Sequence, residues 1–196
     1  MAKMYYAENP DAAHDIHDLK VNLFGEDFYF YTDAGVFSKK MIDFGSQLLL
    51  TALACEAGKT LLDVGCGYGP LGISLAKCQG VRVTMLDVNG RALDLAQKNA
   101  QRNGVRVDIF QSHAYQKVEG NFDYIISNPP IRAGKQVVHE ILAGSYDHLN
   151  LGGSLTIVIQ KKQGAPSAKA KMKEVFGNVE VLKKDKGYYI LRSEKR

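Results

Sequence analysis

The stretch TLLDVGCGYGPLGISLAKCQGVRVTMLD, residues 60–87, decides the architecture. Two apolar runs, TLLDV and VRVTMLD, flank a segment that opens on Gly65, Gly67 and Gly69 and continues as PLGISLAKCQ. Runs that are apolar at nearly every position suit strands buried on both faces of a parallel sheet, and the segment between them has the length of a crossover helix. The three glycines can take positive φ and bring backbone amides close to a ligand, while Pro70 suits the first helical position.

The alternation continues outward from this unit. VRVDIF, FDYIIS and SLTIVIQ are further strand candidates, and RALDLAQKNAQRN, KQVVHEILAGSYDHL and SAKAKMKEVF are the helices between them. NVEVLKK and GYYILRS are separated only by Asp185 and Lys186, so these last strands should form an antiparallel hairpin. The expected fold is a doubly wound α/β sheet of seven strands, mostly parallel, with an antiparallel last strand and right-handed crossovers. Toward the N-terminus, KVNLFGEDFYFY places two aromatic-rich runs around Gly25-Glu26-Asp27 and predicts a small hairpin. SKKMIDFGSQLLLTALAC predicts a helix capped by Ser38, with Met41, Phe44, Leu48, Leu49, Ala52 and Leu53 on its buried face.

The chain of 196 residues carries neither a repeat nor a Pro/Gly/Ser linker, which predicts one domain, with residues 1–36 as an extension and 37–196 as the core. Hydrophobic content of 45% and charged content of 23% exclude disordered and fibrous classes. No apolar run approaches the ~20 residues that span a bilayer, and the N-terminus lacks a signal-peptide layout, so no membrane partner and a cytoplasmic location are expected. Cys55, Cys66 and Cys78 form an odd set without C-x-x-C spacing, which suits neither a disulfide framework nor a metal site. Charge is uneven: residues 1–33 hold seven acids against two bases, and residues 161–196 hold eleven bases against four acids. Such a C-terminal excess suits an anionic partner, although a solvated lysine-rich face explains it equally well.

Gly67 to Gly72 spell G-x-G-x-x-G, and Asp87 follows Gly67 by 20 residues, as a ribose-binding acid would. This pattern alone leaves nicotinamide dinucleotide and S-adenosylmethionine both open. Asp63, two residues before Gly65, favours the second, because a carboxylate there would repel a pyrophosphate and hold an ammonium. Its structural alternative is an acid that binds loop amides. Cys66 lies within the loop; Val88 and Asn89 would lie beside an adenine. Ser112, His113 and Ala114 occupy the next carboxyl-end loop, where ligands collect in open sheets.

FDYIISNPPIRAGK, residues 122–135, ends a core strand with Asn128, Pro129 and Pro130. An exocyclic amine is a poor nucleophile because its lone pair is delocalised. Two acceptors on its hydrogens can aim that lone pair, and here they would be the Asn128 side chain and the Pro129 carbonyl, fixed by the proline rings. An isolated Asn-Pro-Pro reads more simply as a turn. Its agreement with the glycine loop and the two acids gives it chemical weight.

DVGCGYG, LDVNGRAL and ISNPPIRAGK resemble motifs of the class I Asn-Pro-Pro amino methyltransferases, and TDAGVFSKKMIDFGSQLLL is similar to the segment preceding the cofactor domain in ribosomal small-subunit guanine-N2 methyltransferases. The resemblance implies a Rossmann-like fold, S-adenosylmethionine as cofactor, ribosomal RNA or the small subunit as partner and guanine N2 as the target. Protein-glutamine or another nucleobase amine is the alternative, and an inactive RNA-binding module is the alternative from another class. Many relatives have an aromatic residue where this chain has Ile131, so Phe37 becomes a candidate for stacking on the base. Arg132, Lys135, Lys161 and Lys162 are candidate phosphate contacts. Many relatives also carry a second RNA-binding domain, for which a homodimer or the basic C-terminal region would substitute.

Overall fold

The computed structural model describes residues 6–8, 10, 13–38 and 40–196. Strands β1 (His17–Leu23) and β2 (Glu26–Thr32) form an antiparallel hairpin. Its turn is Phe24-Gly25, with φ of 57° and 80°, rather than the expected Gly25-Glu26-Asp27, and Glu26 already pairs with Leu23. Two consecutive positive φ angles match the right-handed strand twist of a two-residue turn, and glycine supplies the second without strain. The C-terminal hairpin of β8 (Glu180–Asp185) and β9 (Tyr188–Glu194) turns the same way at Lys186-Gly187, one residue later than the sequence suggested.

Helix α1 spans Phe44–Ala52, much shorter than the helix expected from Ser38. Ser38 takes a left-handed φ of 57° and does not cap it; Asp43 does, its carboxylate accepting the Ser46 N–H at 3.1 Å. Met41, expected in the core, is 62% exposed, whereas Leu48 and Leu49 are buried as expected.

The main sheet contains β3 (Thr60–Val64), β4 (Arg82–Asp87), β5 (Asp108–Gln111), β6 (Phe122–Ser127), β7 (Leu149–Gln160), β8 and β9 in the order β5-β4-β3-β6-β7-β9-β8. The first five run parallel, and β9 is antiparallel to both β7 and β8. Helices α2 (Pro70–Gln79), α3 (Gly90–Arg102), α4 (Lys135–Gly144) and α5 (Ala165–Phe176) join the strands. Alternate strand residues serve opposite faces. Leu61, Met85, Ile126 and Val158 join one core cluster with α1, α2, α3 and β2, while Leu62, Leu86, Ile125 and Ile157 join another with α4 and α5. Each fully buried Leu or Ile contributes about 1.5–3 kcal/mol, which makes this two-sided pattern the main determinant of the sheet.

The hairpin docks through two asparagines four residues apart, Asn99 in α3 and Asn103 at its C-cap. Asn99 accepts the Tyr31 N–H at 2.6 Å and donates to Tyr31 O, and Asn103 does the same with Tyr29 at 3.0 and 2.8 Å. Their side chains satisfy the free edge of β2 much as a third strand would. Asn99 also donates to Tyr68 O at 2.9 Å, which ties the hairpin to the glycine loop. No helix among the described residues is long and apolar enough to cross a membrane.

Candidate active site

The chain leaves β3 toward β4 on one side and returns through β6 on the other, so a crevice forms at the carboxyl ends of these neighbours. Ser127 Oγ donates to Val64 O at 2.7 Å and fastens the two strand ends at this point. A cavity opens there. Its wall carries Gly65, Cys66 and Gly67 after β3, Asp87, Val88 and Asn89 at the end of β4, Ser112, His113 and Ala114 after β5, and Asn128, Pro129 and Pro130 after β6.

The loop and the β4 acid hold each other. Gly65 and Cys66 N–H both donate to Leu86 O at 2.9 Å, Gly67 N–H donates to Asp87 Oδ2 at 2.9 Å, and Asn89 N–H donates to Asp87 Oδ1 at 2.9 Å. Burial raises the Asp87 carboxyl above its ordinary range, opposed by these backbone donors. Gly65 and Gly67 have φ of 75° and 58°, and a Cβ at either would meet nothing within 4 Å. The space over the loop is therefore open. Asn89 caps α3 by accepting the Ala92 N–H and donates to Gly35 O at 2.9 Å, which holds the N-terminal segment over the cavity.

Two residues expected on the cofactor wall stand elsewhere. Asp63 is fully buried beneath the loop, off the cavity wall, and its Oδ2 accepts the Gly72 N–H at 3.1 Å. Burial pushes its carboxyl up to about 7, and its Oδ1 has no hydrogen-bond partner. The geometry thus follows the alternative reading, an acid that binds an amide at the start of α2. Gly69 also lies off the wall; it precedes α2 with φ of 95°, and a Cβ there would lie 2.7 Å from Ile73 Cδ1. It is needed for packing and turn geometry.

Ser112 lines the cavity, yet its hydroxyl is used locally, donating to Ala114 O and accepting the Lys117 N–H. His113 is on the wall with its ring turned toward Glu140 of α4, at 3.5 Å.

A second cavity adjoins the first. They share Val36, Phe37, Ser38, Asp43, Asn128 and Pro129, and the second is completed by Ile131, Arg132, Gln160, Gln163 and Tyr188 among others. The candidates Phe37, Ile131 and Arg132 are thereby brought together, with Phe37 42% exposed. Lys135, Lys161 and Lys162 are exposed and line neither cavity. Lys161 N–H donates to Gly187 O at 2.8 Å, which sets it beside the β8–β9 turn.

Sequence reasoning missed Asp43, Ser46 and Tyr188. The Asn128 amide nitrogen donates to Ser46 Oγ at 3.0 Å and lies 3.3 Å from each Asp43 carboxylate oxygen. An aspartate three residues before a serine at the head of an apolar run is a readable cap signal. Tyr188 had no comparable signal, because it comes to the site through the insertion of β9 beside β7.

Residues 27–192 match the family model described as methyltransferase small domain. The chain is 48% identical to YbxB of Bacillus subtilis, a protein of uncharacterized function, over the whole of both chains. It is 36% identical to ribosomal RNA small subunit methyltransferase C of Escherichia coli strain K12, over 81% of this chain and 47% of that protein. Among solved structures, the T. thermophilus 16S rRNA N2 methyltransferase RsmC, in complex with AdoMet and guanosine, matches with a TM-score of 0.85 and 26% identity, covering 92% of this chain and 51% of that one. The chain thus spans about half the length of both ribosomal RNA methyltransferases.

Proposed function

The chain belongs to the methyltransferase small domain family, and from that premise we propose that it transfers a methyl group from S-adenosylmethionine to the exocyclic amine of a guanine in small-subunit ribosomal RNA. The observation that carries this reading is the position of Asn128 on the wall between two adjoining cavities. One is bounded by the glycine loop and Asp87, the other by Ile131, Arg132 and Tyr188. Asn128 therefore borders both spaces.

The residues of the first cavity fit the cofactor. The open space over Gly65 and Gly67 leaves room for a ligand to lie against the loop, whose N–H groups are themselves taken by Leu86 O and Asp87 rather than offered to a ligand as the sequence suggested. The Asp87 carboxylate accepts from the backbone of Gly67, Val88 and Asn89, and a carboxylate with about four acceptor sites keeps capacity for a ribose hydroxyl. When bound, S-adenosylmethionine supplies a methyl group activated by a positively charged sulfur.

The chain's own task is then to present an amine. The Asn128 amide oxygen and the Pro129 carbonyl would accept its two hydrogens and direct its lone pair toward the first cavity. Proline fixes the turn in advance, so little reorganisation is needed at the moment of reaction. Phe37 and Ile131 offer apolar surface to a flat base, and Arg132 offers a cation to phosphate or to the base edge. The choice of guanine and RNA is supported by what the E. coli and T. thermophilus relatives act on according to their names.

Labelled S-adenosylmethionine, offered with naked small-subunit RNA, assembled small subunits and a release factor, tests the reading once the product is mapped by mass spectrometry. Methyl on guanine N2 is expected. Label on a glutamine of the release factor, with none in RNA, would replace RNA as the substrate. Asn128→Ala should cut transfer at least about 100-fold, as loss of a preorganised polar group does, while calorimetry shows cofactor affinity within a few-fold of the parent.

A further inference from the structure

An asparagine amide has two ends of nearly the same shape, and only its oxygen can accept a hydrogen from an amine. Whatever decides which end faces the substrate decides whether Asn128 can work at all. Three atoms outside the Asn128 turn lie around its nitrogen: Ser46 Oγ at 3.0 Å and both Asp43 carboxylate oxygens at 3.3 Å. A carboxylate only accepts, so the NH2 end must face Asp43, and the oxygen is turned away from it.

The clamp is itself rigid. Asp43 Oδ1 accepts the Ser46 N–H at 3.1 Å, Gln47 N–H donates to Asp43 O at 3.1 Å, and Ser46 is 3% exposed. Between them lies Gly45, where a Cβ would stand 3.1 Å from Asp43 Oδ1 and 2.9 Å from Tyr188 Cε1. Only glycine lets the carboxylate and the tyrosine ring pack so closely. This arrangement exceeds what a helix cap requires, since one oxygen suffices for a cap.

Resting on the methyl-transfer reading, we propose that Asp43 and Ser46 are positioning residues that fix the Asn128 amide with its oxygen toward the target amine. Both side chains border the first cavity, and in this role they act through Asn128 rather than on the reacting atoms. The negative charge of Asp43 also polarises the amide, which makes its oxygen a better acceptor.

The test uses Asp43→Ser, which keeps a side-chain oxygen for the cap and removes the carboxylate, and Ser46→Ala as an independent variant. The full chain, labelled with nitrogen-15, is examined by NMR, the Asn128 side-chain amide being identified by its loss in Asn128→Ala. A slowly exchanging Asn128 pair is expected in the parent, and it should shift and exchange faster in both variants. An unchanged pair in both would overturn the clamp, whatever the enzyme methylates. In steady-state methylation of small-subunit RNA, kcat should fall about tenfold in Asp43→Ser, as for loss of a charge-assisted hydrogen bond, with KM for S-adenosylmethionine changed by a smaller factor. Unaltered kcat, or a loss confined to KM, would overturn the positioning role. A parent inert toward RNA, with the NMR changes present, would sink the RNA reading and leave the amide orientation standing.

Discussion

Asn99→Ala should be among the more damaging single changes outside the cavity wall, and its cost can be worked from three hydrogen bonds. The side chain is fully buried; it accepts from Tyr31 N at 2.6 Å and donates to Tyr31 O at 3.0 Å and Tyr68 O at 2.9 Å. Alanine leaves one backbone donor and two acceptors without partners. Each such orphan costs about 1–3 kcal/mol when it stays buried, and water admitted by loosening of the hairpin recovers part of it, so about 3 kcal/mol in all is expected. With an urea m-value of ~2 kcal/mol/M, the unfolding midpoint should fall by about 1.5 M. Asn99→Asp should be at least as harmful, because a carboxylate can accept from Tyr31 N but cannot donate to either carbonyl, and it adds a buried charge. Since Tyr68 belongs to the glycine loop, cofactor affinity measured by calorimetry should drop more for Asn99→Ala than for Asn103→Ala, which loses its contacts with Tyr29 and the Asn99 carbonyl. A midpoint shift below about 0.3 M, equivalent to less than ~0.6 kcal/mol, would refute the view that α3 side chains replace a third strand at this edge.

Two further outcomes follow from the acids at the crevice. The Asp63 carboxyl rises from 3.8 to about 7 on folding, so between those values the folded chain holds a proton that the unfolded chain has released. Stability should therefore fall as pH rises through this window, by about 1.4 kcal/mol per pH unit from this group, and level off above the folded value. Asp63→Asn should flatten that slope in urea titrations at pH 5, 6 and 7, and parallel slopes for the two proteins would exclude Asp63 as the source. Asp87→Ala removes the acceptor for Gly67 N–H together with the proposed ribose contact. Calorimetry should show S-adenosylmethionine binding at least about tenfold more weakly, consistent with losing hydrogen bonds to a charged group; unchanged affinity would take Asp87 out of the cofactor site.

Much of the fold was legible because its signals are local. The strand limits of FDYIIS and the helix limits of PLGISLAKCQ coincide with β6 and α2, since an apolar run, a proline at the first helical turn and a glycine after the last are each read within a few residues. Gly65, Gly67, Asp87 and Asn128 reach one wall because the strand order brings the carboxyl ends of β3, β4 and β6 together; the βα alternation predicts the parallel strands, and the packed sheet sets their order. Where local signals competed, the reading failed. Ser38 and Asp43 are both capping residue types; Asp43 caps α1, and beside it Gly45 packs closely against Tyr188, a neighbour 143 positions away that no local signal announces.

The sequence by itself determined the βα alternation, the seven strands of the main sheet, the glycine loop and the strand that delivers Asn128. The tertiary structure decided what those residues do together. Asp63 and Asp87 are both carboxylates at strand ends, but the depth of the sheet buries one under the loop and leaves the other on the cavity wall. Asn128 is a turn residue until α1 closes on it and sets its amide nitrogen against Ser46 Oγ and the Asp43 carboxylate. Hydrophobic periodicity and turn chemistry act between near neighbours, so one chain displays them. Solvent exclusion and the orientation of a side-chain amide depend on atoms contributed from distant segments, and they exist only once those segments have packed.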